Sequence, residues 1–234
     1  MRRLKDLGAA VVVCARPAGV RGDPCVLAAR RAVEAGAIPF GVQGPDNGLA
    51  VEGARTLAFE MAETLAAESA ELDALYVQVG GGALASALAQ GLAMAAAAGL
   101  QRRAPRLIAV QTAGCAPLAR AWCRLDGVAL GEAVRNRSRF MRPWDSVPSS
   151  LAHGILDDET YDWCEVVKAM RETGGEAVVA DEATVARALE LARTHTDIPA
   201  SATGAAGLAG LLAAPDIPGA AAVVLSGVER GERA

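Results

Sequence analysis

Short, continuous apolar runs alternate along the whole chain with stretches whose apolar positions recur at helical spacing. Such alternation is the mark of strands joined by crossover helices in a parallel sheet. It predicts an α/β protein: an open, mostly parallel sheet with helices on both faces, in three layers, beside part of a second, smaller α/β domain. Strands are expected over 9–14, 75–79, 106–111, 176–180 and 221–225, with a short extended piece over 38–42. Helices are expected over 24–35, 52–67, 83–98, 117–125, 160–172, 181–194 and 203–213. Gly36 suits a left-handed helix end, and Asp181 suits a helix N-cap. The loop Gly44-Pro45-Asp46-Asn47-Gly48 is dense in turn formers and divides a leading piece, 1–43, from a main domain, 44–234. Between 127 and 156 the pattern breaks around Pro143, Pro148 and Ser149-Ser150, which predicts helix pieces joined by ordered loop near a site. No repeat is visible, and the only biased end is the charged stretch 229–234.

Composition narrows this picture. Hydrophobic residues make up 52% of the 234 positions but aromatics only 3%, a mix suited to small-residue helices layered on a sheet. The formal charge of −4 comes from 23 basic and 27 acidic residues scattered along the chain, with no basic stripe, so nucleic acid is not an expected partner. The longest apolar run, 83–100, is Ala-rich and interrupted by Ser86, Gln90 and Gly91, which predicts a buried helix and no membrane span. Arg2, Arg3 and Lys5 precede the apolar run 9–14, but Asp6 intrudes and Val13 stands where a cleavage site needs a small residue. A signal peptide is therefore not expected, and the reading is a cytoplasmic protein. Five cysteines, at 14, 25, 115, 123 and 164, form no CxxC pair, and His153 and His195 lie far apart, so neither a disulfide framework nor a metal centre is expected.

The most informative segment is a strand, three glycines and a helix start: Gly80, Gly81, Gly82, Ala83 and Leu84. Glycines let the backbone approach a ligand closely, and a helix N-terminus adds free N–H groups and the positive end of its dipole, so the junction suits a phosphate. A plain tight turn is the simpler alternative, but three consecutive glycines beside a buried strand suggest that the backbone itself contacts something. A dinucleotide GxGxxG pattern would need a glycine at 85 or 86, where Ala85 and Ser86 stand, and a Walker loop would need a lysine.

Residues 76–92, YVQVGGGALASALAQGL, resemble the phosphate loop of fold-type II pyridoxal-phosphate (PLP) enzymes, closest to the threonine synthase and threonine dehydratase group. Other pieces are similar in the same order: 44–63, GPDNGLAVEGARTLAFEMAE; 150–155, SLAHGI, with His153 where an Asp is common; 200–212, ASATGAAGLAGLL; and 223–227, VVLSG. The resemblance implies PLP as cofactor, its phosphate held by backbone amides of Gly80 to Leu84. It implies that Ser226 meets the pyridine nitrogen, although Val228 and Glu229 follow where the family often has Gly-Asn. It further implies an amino-acid substrate and a lyase-type elimination or replacement at its β- or γ-carbon.

The resemblance also implies a catalytic lysine in an SxKDR-like segment that precedes everything matched here. The chain's two lysines, Lys5 and Lys168, both read as solvated surface residues. No residue is therefore assigned a catalytic role. The expectation is an N-terminally truncated member, inactive by itself: a non-catalytic remnant, or one half of a split enzyme that binds a phosphate-bearing ligand or a partner chain. A sheet and small domain left incomplete would expose apolar surface and favour oligomers. His153 is open between an acid–base and a structural role. Asp157, Asp158 and Glu159 are expected to cap the next helix, and Arg135, Arg137, Arg139 and Arg142 fit either a solvated face or contact with an anionic substrate.

Overall fold

Apolar side chains on both faces of Ala74–Gln78 make it a strand, β1, that is buried along its whole length. It lies in the middle of the sheet. The computed structural model describes residues 1–16, 22–214 and 219–229; most of the charged end, 230–234, lies outside them. In chain order the described elements begin with α1 (Arg2–Asp6), α2 (Pro24–Glu34) and α3 (Gly48–Ala67), followed by β1, α4 (Ala83–Ala97) and β2 (Arg106–Thr112). Next come α5 (Pro117–Trp122), α6 (Leu130–Arg135), α7 (Arg137–Phe140) and a single 3-10 turn at His153–Ile155. The chain then forms α8 (Trp163–Thr173), β3 (Glu176–Ala180), α9 (Glu182–His195), α10 (Ala202–Ala213) and β4 (Ala221–Val223).

The four strands are parallel, in the order β3-β2-β1-β4. Side chains alternate across β1. Leu75, Val77 and Val79 face a core that includes Ala58 and Ala62 of α3, Leu88 and Leu92 of α4, and Trp163, Val166 and Met170 of α8. Tyr76 faces the other way, beside Ile108, Val110 and Val178, under Leu211 of α10. The fold is thus α/β with helices on both faces, as the pattern predicted.

Small residues set how closely the layers approach. A Cβ on Gly91 would come 2.5 Å from Ala58 Cβ, which lets α4 lie against α3, and one on Gly210 would collide with Val110, which lets α10 lie flat on the sheet. Side-chain caps start two helices on this side: Asp181 accepts from the Thr184 amide at 2.7 Å, and Ser201 from the Gly204 amide at 3.1 Å.

Three expectations fail. Residues 9–14 are not a strand; they are unpaired, and Val12 and Val13 are exposed, as are Ile38, Phe40 and Val42 in 38–42, Phe40 to 99%. An apolar run becomes a strand only when a neighbour completes its ladder, and none does so among the described residues. Helix α8 starts at Trp163, because the preceding residues are drawn into contact with the glycine loop. Strand β4 stops at Val223, before Ser226.

Candidate functional site

From β1 the chain moves to β2 and β3 on one side, whereas β4 joins β1 on the other. The carboxyl ends of β1 and β4 therefore flank a topological switch point, the place in an open parallel sheet where a crevice forms and ligands bind. Gly80, Gly81 and Gly82 leave the end of β1; Ser226 follows the end of β4. Gln78 Nε2 donates a hydrogen bond to Ser226 Oγ, joining residues 148 positions apart. The expected phosphate loop and the expected ring contact are thus brought to one place. Because Ser226 accepts from Gln78, its own hydroxyl hydrogen is left to donate to a further acceptor.

Each glycine answers to a close approach. A Cβ on Gly80 would lie 2.5 Å from Asp157 Oδ2 and 2.9 Å from Ile155 Cα; one on Gly81, 2.9 Å from Gln43 Nε2; one on Gly82, 3.0 Å from Thr160 Cγ2. Gly82 also has φ 98°, a left-handed conformation that a side chain would strain, and it serves as the N-cap of α4 with no side-chain cap. The first-turn amides of α4, among them those of Ala83 and Leu84, therefore keep their hydrogens for another partner. The Asp157 carboxylate lies against Gly80, and the Gly81 amide favours its charged form. The free first-turn amides and the positive end of the α4 dipole fit an anionic group.

The segment that carries Asp157 is held by several contacts. Ile155 packs its backbone on Gly80. The Gly154 N–H donates to Thr203 Oγ1 at the start of α10, at 2.9 Å. The Asp162 N–H donates to the Gly81 carbonyl at 2.9 Å, and the Asp162 carboxylate accepts from the Gly44 N–H at 3.1 and 3.0 Å. The acidic residues do not cap α8. Asp157 serves the glycine loop, Asp158 pairs with Arg16 and Glu159 pairs with Arg137; the N-cap of α8 is Asp162, whose side chain makes no capping bond. Burial is the main cause that raises the pKa of Asp157, Asp158 and Asp162. The Gly81 amide opposes it for Asp157, Arg16 for Asp158 and the Gly44 amide for Asp162.

At the end of β2, buried Gln111 ties the strands to the loops. Its Nε2 donates to the Val79 carbonyl at 3.1 Å, and its Oε1 accepts from the amides of Leu118 and Ala119, capping α5. Burial pushes the Cys115 thiol up to about 12; it donates to the Asp157 carbonyl at 3.2 Å and is inert as a nucleophile.

His153 is exposed on the 3-10 turn. Of the four arginines singled out in the sequence, Arg137 pairs with Glu159, Arg142 pairs with Asp145, and Arg139 stacks on Phe140 at 5.7 Å. Lys168 is exposed on α8 and faces Glu172 at 3.9 Å, and Lys5 is exposed on α1. Neither lysine borders the glycine loop or Ser226. A cavity of about 540 Å³, bounded by Val33, Phe40, Gln43, Asp157 and Tyr161, opens beside the loop. A larger one, about 780 Å³ and lined by Trp122, Leu125 and Arg171, includes none of these site residues. Among the described residues no cluster could hold a metal ion, and no helix is long and apolar enough to cross a membrane.

Sequence reasoning missed Gln78 and Asp157. The first had a signal, a lone amide in an otherwise apolar strand; the second had none, because its partner is reached only through the fold.

A family model described as pyridoxal-phosphate dependent enzyme matches residues 1–227. No curated protein matches the sequence. The fold is similar to a T.th. threonine deaminase, at 20% identity and TM-score 0.63 over 80% of this chain and 59% of that one. It is also similar to a serine racemase from Dictyostelium discoideum (19%, TM-score 0.63, 98% and 64%) and to maize serine racemase (17%, TM-score 0.64, 99% and 62%). The chain thus spans about three-fifths of the length of these proteins.

Proposed function

We propose, since this chain belongs to the family of pyridoxal-phosphate dependent enzymes, that the crevice between β1 and β4 is its cofactor site. The substrate in this reading is an amino acid, and the reaction is an elimination or replacement at the β- or γ-carbon of the threonine synthase or dehydratase type. The observation that carries the reading is the meeting of the Gly80–Gly82 loop and Ser226 at the switch point, where ligands bind in parallel sheets. Amides of Gly80, Gly81, Gly82, Ala83 and Leu84 would hold the phosphate, helped by the dipole of α4. The Ser226 hydroxyl, oriented by Gln78, would donate to the ring nitrogen. When bound, the cofactor supplies an electron sink for charge that develops beside the substrate's amino group.

The donor set fits the phosphate and the ring but offers no covalent anchor. Lys5 and Lys168 are solvated, and a lysine needs burial or a cationic neighbour to become a nucleophile at neutral pH. In our reading these 234 residues by themselves bind the cofactor reversibly and do not turn over, and a catalytic lysine would have to be supplied from outside them. Residues 1–43 would be part of a smaller domain, with 44–234 the main cofactor-binding domain. The exposed Ile38, Phe40, Val12 and Val13 support association in solution, most simply as a homo-oligomer.

The test is to add PLP to the purified chain, then treat with borohydride and map any modified lysine. The expected result is saturable binding that is lost on dialysis, with no specific lysine adduct. Absence of saturable binding would remove the cofactor site; a specific adduct at Lys5 or Lys168 would restore catalytic competence to this chain.

A further inference from the structure

The glycine loop before α4 holds a carboxylate of the protein itself at its Gly80 end. Asp157 Oδ2 lies against Gly80, at 2.5 Å from the position its Cβ would take, and the Gly81 amide favours that carboxylate's charged form. Asp157 is not a surface side chain that swings freely. Ile155 rests on the Gly80 backbone, the Cys115 thiol holds the Asp157 carbonyl, and two residues beyond Thr160 the Asp162 amide holds the Gly81 carbonyl. The tethers on either side belong to the main chain, so the carboxylate is delivered to the loop by the fold.

The charges around it make this placement costly. Asp23, before α2, and the neighbouring Asp158 both act on Asp157 as like charges. Arg16 pairs with Asp158, and the neighbours of Gly81 on its other side are Gln43 and Tyr161, both neutral. Tyr161 has its own pKa raised, chiefly by burial and then by Asp157. The amide of Gly81 is what favours the charged form. A phosphate ester entering the cradle would add a dianion to this set and would meet the Asp157 carboxylate beside Gly80.

We propose that Asp157 is a resident anion that closes the phosphate cradle, an autoinhibitory contact that a phosphate ester must displace, or find protonated, in order to bind. The inference rests on the reading that the glycine loop is the phosphate site, and it names the residue that controls access to that site. Its pH dependence has a definite sign. Burial raises the Asp157 pKa, so its charge is lost earlier as pH falls than for an ordinary carboxyl, and the cradle opens on the acid side until the ligand's own phosphate, with a second pKa of ~6, takes up a proton.

The experiment uses pyridoxine 5′-phosphate and pyridoxine, which carry no aldehyde and so differ in the phosphate alone, titrated calorimetrically into the full chain and into D157N and D157A. We expect both variants to bind the phosphate ester about tenfold tighter than the unaltered chain, the effect of one like charge removed at close range, with pyridoxine binding unchanged. We also expect the advantage of D157N over the unaltered chain to shrink as pH falls through the raised Asp157 pKa. If the unaltered chain binds the ester and neither substitution tightens it, the autoinhibitory role is wrong while the phosphate site stands. If the ester binds none of the three proteins better than pyridoxine does, the phosphate site itself is wrong and this inference goes with it. Should one variant fail to fold, the other, together with the pH series on the unaltered chain, still decides.

Discussion

Residues 9–14 and 74–79 are two apolar runs of the same kind, yet the second is the fully buried centre of a sheet and the first is exposed coil. Local preference cannot separate them. What differs is company: β1 has β2 and β4 as ladder partners and a helix layer on each face, whereas 9–14 has neither among the described residues. Burial and hydrogen bonding arrive together, and a strand that lacks one lacks both. The same contrast separates Leu88, fully buried on α4, from Phe40, 99% exposed.

That contrast can be broken most forcefully by truncating side chains in each region. L88A should lower unfolding free energy by about 2–5 kcal/mol, since it leaves a cavity in the main core, whereas F40A should stay within about 0.5 kcal/mol. Urea denaturation of the two variants under identical conditions checks this. An equal loss in F40A would mean that the leading segment is packed in solution against something absent from the single chain.

Association sharpens the same comparison. If the exposed apolar residues of the leading segment are what other copies cover, a double I38D/F40D substitution should shift the mass seen by light scattering from oligomer to monomer while leaving the melting temperature of the main core unchanged. A purely monomeric starting protein would remove that basis for oligomers.

A loss smaller than that of L88A is expected where Arg16 meets the main domain. Arg16 pairs with Asp158, which is only 3% exposed. R16A should cost about 1–2 kcal/mol at pH 7, because a buried carboxylate loses its partner. Asp158 has a folded-state pKa raised by burial, which Arg16 partly opposes, so removing Arg16 raises it further. The loss should be present in full above that raised pKa and shrink as pH falls through it, where the carboxyl is neutral in either protein. Denaturation midpoints at pH 7 and pH 5 test the sign; a penalty that grows on acidification would contradict it.

Much of the architecture was legible in the sequence. Residues 176–180 are β3 as expected, Asp181 caps α9, and the strand, glycine triplet and helix at 74–97 read directly from the chain, because period and cap chemistry are local properties. The pairing of Ser226 with Gln78 was half legible: the resemblance singled out the serine, and nothing identified the amide. By its neighbours in sequence the acidic run 157–159 suggests helix capping. In the fold each of the three finds a different partner at long range.

The alternation of apolar runs and amphipathic stretches, together with the glycines before α4, was by itself enough to specify a parallel α/β sheet with a strand–glycine–helix junction, since both follow from the conformational limits of short segments. Tertiary structure alone decided which apolar runs become strands, and that a carboxylate some eighty residues along from the glycines lies against Gly80. Those outcomes depend on contacts between distant parts of the chain, where burial and charge are settled by the neighbours a residue meets.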